Sequence, residues 1–354
     1  MCPYFAMFPE AFVRQNVLAW SKRGEVVLDP FSGRGTTVFE SLLNERIGIG
    51  CDTNPVAFCL SRAKADPPTL LEVIERLDTL EQAFQLVSKA PELADEFFTL
   101  CFHEKTLQQL LFLRKTLDWR GNRVDCLIAA IALGCLHGES HRTQLCFSNR
   151  MPRTISTKPA YSVRWWREKG CIPPERDVFA ILRAVAEYRY RSPLPTAKGK
   201  VVEGDARQAS ILLSDYRQKV KLVVTSPPYL DITDYHEDQW LRLWFLGGPA
   251  RPAIGRGRDD RHRRVEAYWQ FLREAWQGIL PLLQESAQIV VRIGGTRLNG
   301  QELEVGLCES LNATGRKFEL VESRQTLIKN GQSRIFQAST GKAFVEHDFR
   351  FRMN

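Results

Sequence analysis

The 354-residue sequence lacks any run of about 18 unbroken apolar residues, and this absence argues against a membrane-spanning helix. Its first residues, beginning Met1-Cys2-Pro3, lack the basic head and apolar core of a signal peptide. We therefore expect a cytoplasmic protein with no membrane partner. Nine cysteines are present, but no two have the C-x-x-C spacing of a zinc or redox site. We expect reduced thiols in the core, with neither a disulfide framework nor a metal site.

Two phosphate-binding patterns are also missing. The sequence contains no G-x-G-x-x-G dinucleotide motif, and it has no glycine-rich phosphate loop that ends in lysine. These absences favour a nucleoside ligand without a pyrophosphate. Charge of one sign is in excess, because 49 basic residues outnumber 41 acidic ones and give a net charge of +8. Such a surplus permits a polyanionic partner.

The alternation of strand and helix patterns predicts an α/β fold. Residues 24–29 and 47–52 have the pattern of short buried strands, and a helix is expected between them from Thr36 to about Asn44. The pattern resumes at Lys200. Further strands are predicted at Val201–Val202, Leu222–Val224 and Ile289–Ile293, with helices near 238–246 and 265–284. Residues 317–350 predict two strands joined near Asn330-Gly331, a dipeptide typical of hairpins.

A long insertion interrupts this pattern. Between residues 70 and 137 apolar residues recur at helical spacing, residues 138–172 are basic and predicted to be irregular, and a helix is expected over 174–190. We therefore predict one α/β domain in two parts, residues 1–66 and 198–354, with a mainly helical insertion over residues 67–197.

A glycine turn follows the first predicted strand. It has the sequence Asp29-Pro30-Phe31-Ser32-Gly33-Arg34-Gly35-Thr36-Thr37. Glycine serves where a backbone must turn sharply and approach a ligand closely. Asp52 ends the next strand, at about the spacing from Asp29 at which an acidic side chain binds a ribose diol. A tight turn without a ligand is the alternative.

The tetrapeptide Ser226-Pro227-Pro228-Tyr229 follows another apolar strand, where open α/β sheets bind their ligands. Two prolines make a stiff loop that can aim a serine hydroxyl and a carbonyl at one point. An aromatic amino group is a poor nucleophile, because its lone pair is delocalised into the ring. Acceptors at Ser226 Oγ and the Pro227 carbonyl would turn that lone pair toward a methyl sulfonium. A proline-rich turn without a ligand is the alternative.

Together these segments resemble the S-adenosylmethionine-dependent amino-methyltransferases of DNA from restriction-modification systems. The resemblance implies a Rossmann-like, doubly wound methyltransferase sheet with a carboxyl-terminal antiparallel hairpin. It implies that the glycine turn binds the methionine end of S-adenosylmethionine, that Asp52 holds the ribose, and that Asp205 contacts the adenine. The expected cofactor-binding residues are Phe8, Pro9, Asp29, Phe31, Gly33, Gly35, Thr36, Asp52 and Asp205. The expected catalytic residues are Ser226, Pro227, Pro228 and Tyr229, with Tyr229 stacking on a base flipped out of duplex DNA.

Serine at the first tetrapeptide position favours cytosine N4, and hence N4-methylcytosine, over adenine N6. An RNA or protein-amide methyltransferase and a non-catalytic nucleic-acid-binding subunit are the other readings. In many serine-type members the tetrapeptide precedes the glycine turn, whereas here it follows the turn and the insertion. This departure leaves open where sequence recognition resides, and whether a homodimer, a specificity subunit or a nuclease is the protein partner.

Two basic segments are candidates for DNA contact, and the first lies in the insertion over residues 67–197, which we therefore expect to recognise nucleic acid. Residues 141–169 contain seven basic residues and one acidic residue, and residues 251–264 contain six arginines and two aspartates. Basic groups neutralise phosphates and interleaved aromatic rings stack on bases. A packed loop, with one of Trp165 and Trp166 in the core, and a solvated linker are the respective alternatives. The expected nucleic-acid contacts are Arg150, Arg153, Lys158, Arg164, Trp165, Arg256 and Arg258.

Overall fold

A computed structural model describes residues 9–86, 95–138, 143–151, 158–230, 239–252, 264–294, 297–327 and 345–354. The chain divides into two compact units. Of the described residues, the sheet unit comprises 9–61, 195–230, 264–294, 297–327 and 345–354, and the helical unit comprises 62–86, 95–138, 143–151, 158–194 and 239–252. Within the described ranges, no helix is long and apolar enough to cross a membrane.

The sheet has seven strands in the order β3-β2-β1-β4-β5-β7-β6. They are β1 Val26–Asp29, β2 Ile47–Asp52, β3 Lys200–Glu203, β4 Val220–Thr225, β5 Leu283–Gly294, β6 Phe318–Leu327 and β7 Val345–Met353. The first five are parallel, and β7 runs antiparallel to both β5 and β6. The predicted doubly wound sheet with an antiparallel pair at its carboxyl end is confirmed. The predicted Asn330-Gly331 turn lies outside the described residues.

Apolar side chains cover both faces of the sheet, as expected for parallel strands buried on two sides. On one face Leu28, Val223 and Ile289 belong to a large core cluster. On the other face Val27 and Leu222 pack in a smaller cluster. The helices of the sheet unit that supply these faces or connect its strands are Glu10–Trp20, Thr36–Leu43, Pro55–Ala65, Ala209–Leu212, Val265–Ile279 and Gly300–Asn312.

The helical unit confirms the prediction of a mainly helical insertion. Its described helices are Leu70–Gln85, Glu96–Cys101, Glu104–Thr116, Arg123–Cys135, Pro159–Glu168, Val178–Arg189 and Trp240–Phe245. Side-chain caps begin several of them, since Thr69 and Glu72 form a capping box and Asn122 accepts from two backbone N–H groups. These caps satisfy donors that the first helical turn would otherwise leave unpaired.

The prediction of an irregular segment over residues 138–172 is wrong in its second half. Residues Pro159–Glu168 form a helix with proline in its first turn, where no N–H is required. Ser162 and Trp166 lie four positions apart and are both buried, while the basic residues occupy the exposed positions. Six of the eight described cysteines are buried and all eight are free thiols, as expected.

Candidate active site

The glycine turn connects β1 to the helix Thr36–Leu43. Gly35 stands immediately before the helix with φ of +76°, a conformation that L-residues with a side chain rarely adopt. A Cβ atom there would lie 2.8 Å from Ser61 Oγ, so the position is also closed by packing. The Ser61 hydroxyl donates to the Gly33 carbonyl at 2.7 Å and holds the middle of the turn. The sequence therefore builds a rigid loop at the end of β1.

Asp52 ends β2 beside this turn. One carboxylate oxygen accepts from the Gly33 N–H at 2.8 Å, and the other accepts from the Asn54 N–H at 2.9 Å. Each oxygen has two lone-pair positions, so each retains one acceptor site. Burial raises the pKa of Asp52 to about 6, against the two backbone hydrogen bonds that lower it. The arrangement can accept two further hydroxyl hydrogens, which is what a ribose diol offers.

Asp29 ties the end of β1 to the end of β4. The buried carboxylate accepts from Thr225 Oγ1 at 2.7 Å and from the Phe31 N–H at 3.1 Å. Burial raises its pKa to about 6, while the hydrogen bond from Thr225 lowers it. A second link runs from the helix after the glycine turn to β4, because Thr37 Oγ1 donates to the Val224 carbonyl at 3.0 Å. These two contacts fix the tetrapeptide relative to the glycine turn.

The tetrapeptide leaves β4 with its tyrosine turned into the protein. Ser226 and Pro228 are half-buried, whereas Pro227 is buried and Tyr229 is 5% exposed within the large core cluster. The Ser226 hydroxyl donates to Tyr229 Oη at 3.3 Å. Tyr229 Oη in turn donates to Glu346 Oε1 at 3.4 Å. These distances are long for O–H···O hydrogen bonds, and the two contacts connect three oxygens in succession.

The end of β3 completes the edge. Asp205 follows β3 and caps the next turn by accepting from the Arg207 N–H at 2.9 Å. Its carboxylate also pairs with the Arg207 guanidinium at 2.8 Å. The Gly204 N–H donates to the Asp52 carbonyl at 2.9 Å, which links the ends of β2 and β3. Asp205, Asp52, Asp29 and Ser226 thus follow four strands that are neighbours in the sheet.

The remaining sequence-predicted cofactor residues occupy different positions. Thr36 is buried at the start of its helix, and Phe31 is half-buried with its ring centroid 5.8 Å from that of Phe271. Pro9 is exposed and precedes the helix Glu10–Trp20. Phe8 lies outside the described residues.

The predicted nucleic-acid contacts that can be described belong to the helical unit. Three of them are exposed, namely Arg150, Lys158 and Arg164. Trp165 is half-buried, and the Arg150 guanidinium lies over its ring, 5.6 Å from the ring centroid. Trp166 is buried, as expected for one of the two tryptophans, and donates to the Arg150 carbonyl. Arg153, Arg256 and Arg258 lie outside the described residues.

Sequence reasoning missed the charged group that faces Tyr229. Arg292 of β5 is 4% exposed and contacts Asp348 at 2.6 Å and Glu346 at 3.4 Å, both on β7. An arginine within the apolar strand Ile289–Ile293 was the available signal, since a buried guanidinium requires an acidic partner. The acidic partners of Arg292 could not be predicted from the sequence, because they lie on β7, which pairs with β5 although it is distant in the chain.

The sheet has five parallel strands and a carboxyl-terminal antiparallel pair, and acidic residues stand at the ends of β1 and β2 and just after β3. The fold is that of the Rossmann-like S-adenosylmethionine-dependent methyltransferases. Comparison with known proteins agrees. Residues 2–61, which include β1, the glycine turn and β2, match the family model described as DNA methylase. This match confirms the resemblance to amino-methyltransferases that the motifs indicate.

Two curated relatives match the chain over short segments. The chain is 45% identical over 47 residues to the orphan methyltransferase M.BamHII of Bacillus amyloliquefaciens, covering 13% of this chain and 18% of that protein. It is 38% identical over 64 residues to the type II methyltransferase M.HpaI of Haemophilus parainfluenzae, covering 18% of this chain and 20% of that protein. The matched segments thus span about a fifth of each relative.

A solved structure of a SAM-dependent methyltransferase from Agrobacterium tumefaciens aligns with a TM-score of 0.38 and 9% identity, covering 98% of this chain and 63% of that chain.

S-adenosylmethionine is the cofactor of the matched family. The residues present fit it, because Asp52 retains two acceptor sites for a ribose and is held beside the glycine turn by the Gly33 N–H.

Proposed function

We propose that the chain is a site-specific DNA methyltransferase that transfers the methyl group of S-adenosylmethionine to the exocyclic N4 amino group of cytosine. The observation that carries the proposal is the link between the glycine turn and the tetrapeptide, made by Asp29 and Thr225 across adjacent strands. A cofactor bound at the turn and an amino group bound at Ser226 would meet at one edge of the sheet.

The hydrogen-bond direction at Ser226 supports its role as an acceptor. Its hydroxyl hydrogen points to Tyr229 Oη, so both lone pairs of Oγ stay available for a substrate N–H. The Pro227 carbonyl is the second proposed acceptor. Two acceptors would orient the amino lone pair toward the methyl group, and preorganised dipoles of this kind need no rearrangement during reaction. When bound, S-adenosylmethionine supplies an electrophilic methyl group on a sulfonium.

The proposed substrate is double-stranded DNA with the target cytosine flipped out of the helix, because an exocyclic amino group is inaccessible in a stacked pair. Stacking on Tyr229 would require its ring to face the substrate from a position that is now 5% exposed. Arg150, Lys158, Arg164 and Trp165 are the proposed contacts to the rest of the DNA, since they are exposed or half-buried on the helical unit.

One experiment tests base, position and nucleic acid together. Purified protein is incubated with labelled S-adenosylmethionine and either duplex DNA of mixed sequence or total RNA. The polymers are then digested to nucleosides, which are identified by mass spectrometry. The proposal expects labelled N4-methyldeoxycytidine from DNA. Detection of N6-methyldeoxyadenosine would instead identify adenine as the target base. Label found only in RNA would overturn the assignment of DNA as the substrate. Ser226→Ala provides the matched control, because the variant removes the hydroxyl and keeps the prolines.

A further inference from the structure

Three oxygen atoms are joined in a line of two successive hydrogen bonds, from Ser226 through Tyr229 to Glu346. Ser226 Oγ donates to Tyr229 Oη at 3.3 Å, and Tyr229 Oη donates to Glu346 Oε1 at 3.4 Å. All three belong to the sheet unit. The line ends at a carboxylate that the sequence motifs do not include and that is 8% exposed.

The neighbours of Glu346 leave its carboxylate able to take up a proton. The Arg292 guanidinium from β5 lies 3.4 Å from Glu346 Oε2, but it makes two shorter contacts of 2.6 Å to Asp348. Asp348 lies on β7 with Glu346, and Thr326 is opposite Glu346 on β6 and donates to Asp348 at 3.3 Å. Burial raises the pKa of Glu346, while Arg292 lowers it and Asp348 raises it. Both carboxylates thus contact the Arg292 guanidinium, and the contact with Glu346 is the longer and weaker one.

Methylation of an amino group creates a need for such an acceptor. When a neutral amino nitrogen forms a bond to a methyl group, it acquires a positive charge that only the loss of a proton removes. A protein group within hydrogen-bond reach of the nitrogen can receive this proton. Ser226 is the group proposed to contact the amino hydrogens, and its own hydrogen is donated to Tyr229 Oη.

We propose that Ser226, Tyr229 and Glu346 form a proton relay that removes the amino proton during methyl transfer. This inference rests on the proposed function. The N–CH3 bond forms, and the S–CH3 bond breaks with its electron pair on sulfur. One N–H proton passes to Ser226 Oγ, the serine proton passes to Tyr229 Oη, and the tyrosine proton passes to Glu346 Oε1. The sulfonium charge and the carboxylate charge are both neutralised, so the step balances, and Glu346 later returns the proton to solvent.

Two substitutions interrupt the relay without removing bulk. Glu346→Gln preserves the shape of the side chain and an acceptor for Tyr229, but it has no carboxylate to protonate. Tyr229→Phe preserves the ring and removes the hydroxyl, and it leaves the contact between Glu346 and Arg292 unaltered. Each should lower the single-turnover rate of methyl transfer by roughly 100-fold at saturating cofactor and DNA. The double variant should lose no more than the worse single variant, because both act on one path.

Glu322→Gln is the matched control. Glu322 lies on β6 and pairs with Arg350 of β7 at 3.3 Å, so it is a carboxylate in an ion pair of the same antiparallel strands. Neither residue of that pair contacts the tetrapeptide through a hydrogen bond described here. Its substitution should leave the single-turnover rate at the wild-type value. A comparable loss in Glu322→Gln and Glu346→Gln would assign the effect to strand stability and overturn the relay.

The pH profile supplies a readout that a structural role would not change. Glu346 must be ionised to accept a proton, so the wild-type rate should fall as the pH falls through its raised pKa. Glu346→Gln should lose this acidic limb. Saturating cofactor removes the pH dependence that Asp52 is expected to give to cofactor binding.

The possible outcomes separate the two claims. An active wild type with a Glu346→Gln variant of equal rate and unchanged acidic limb overturns the relay and leaves the methyltransferase intact. A wild type that binds cofactor but methylates neither DNA nor RNA overturns the proposed function and the relay with it. Loss of rate in Glu346→Gln and Tyr229→Phe, with retained cofactor affinity and a lost acidic limb in Glu346→Gln, supports the relay.

Discussion

The strand ends of the sheet unit and the surface helix Pro159–Glu168 of the helical unit hold their charged side chains in opposite ways. At the strand ends Asp29 and Asp52 accept hydrogen bonds from fixed backbone and hydroxyl groups, and burial raises both pKa values to about 6. On the helical unit Arg164 is exposed and lies 3.9 Å from Glu168 in a loose pair. The carboxylates at the strand ends are therefore held in one geometry. The exposed Arg164 guanidinium could leave Glu168 for a phosphate with little loss of free energy, because exposed ion pairs are weak.

The difference indicates where each substitution should act. Changes at the strand ends should alter cofactor affinity, turnover or folding, because each buried polar group depends on one or two defined partners. Changes on the helical surface should alter DNA affinity and its dependence on salt, because exposed charges are screened and interchangeable.

The largest effect is expected from Tyr229→Ala. Removing both the ring and the hydroxyl should lower turnover by roughly 100-fold or more, through lost stacking and lost orientation of Ser226. Cofactor affinity should stay near the wild-type value, because the described contacts of Tyr229 involve Ser226 and Glu346 rather than the glycine turn. Single-turnover rates and calorimetry measure the two quantities. A collapse of cofactor affinity would show that the assigned role is wrong.

Asp52→Ala should have the reverse effect. It removes the acceptors proposed for the ribose together with the hydrogen bonds to Gly33 and Asn54. We expect cofactor affinity to fall by about 10- to 100-fold, since hydrogen bonds to a charged group contribute about 1.5–3 kcal/mol. Turnover at saturating cofactor should change less. Calorimetry with an unchanged dissociation constant would remove Asp52 from the cofactor site.

The raised pKa of Asp52 predicts a pH dependence of cofactor binding. The carboxylate accepts two hydroxyl hydrogens only when it is ionised, so affinity should decrease as the pH falls through about 6. Titrations between about pH 5 and about pH 7 test this expectation. Asp52→Asn cannot ionise and should show a flatter profile. An equally steep profile in that variant would transfer the effect to another group, with Asp29 the first to examine.

A smaller effect is expected on folding from Thr225→Val. The substitution keeps the shape of the side chain and removes the hydroxyl that donates to buried Asp29. We expect a loss of about 1–2 kcal/mol in the free energy of unfolding, measured in urea. Thr99→Val is the control from the helical unit, because Thr99 is exposed and donates only to the Glu96 carbonyl one turn earlier. Equal losses in both variants would contradict the contrast between the two units.

The smallest effect is expected from Arg164→Ala. Because the side chain is exposed, its loss should weaken DNA binding only a few-fold and reduce the salt slope by about 1. Methyl transfer at saturating DNA should be unchanged. Fluorescence anisotropy at several salt concentrations gives the slope. An unchanged slope would leave Arg164 as a purely structural surface residue.

The sheet could be predicted because its signals are local. The apolar run before Asp29, the glycines after it and the apolar run before Ser226 each indicate a strand end within ten residues of sequence. Four helices were not anticipated, namely Glu10–Trp20, Pro55–Ala65, Ala209–Leu212 and Gly300–Asn312, and β5 begins at Leu283 rather than near Ile289. In β5, Gln284, Glu285 and Ser286 break the apolar pattern, so its first half does not look like a buried strand.

The site could be predicted only in part. Asp29 and Asp52 stand in recognisable positions, but the Thr225–Asp29 bond joins residues 196 positions apart and has no local signature. The same holds for the contact between Tyr229 and Glu346, which depends on β7 pairing beside β5. The roles of the individual site residues and the recognition role of residues 67–197 remain predictions.

The most direct test of the account is a crystal structure of the protein with a non-reactive S-adenosylmethionine analogue and a short DNA duplex. We predict that the ribose hydroxyls contact Asp52, and that a flipped base places its amino nitrogen between Ser226 Oγ and the transferable group, roughly 3 Å from each. An analogue bound elsewhere than the Gly33–Gly35 turn, or a base held away from Ser226, would contradict the claim that these strand ends form one active site.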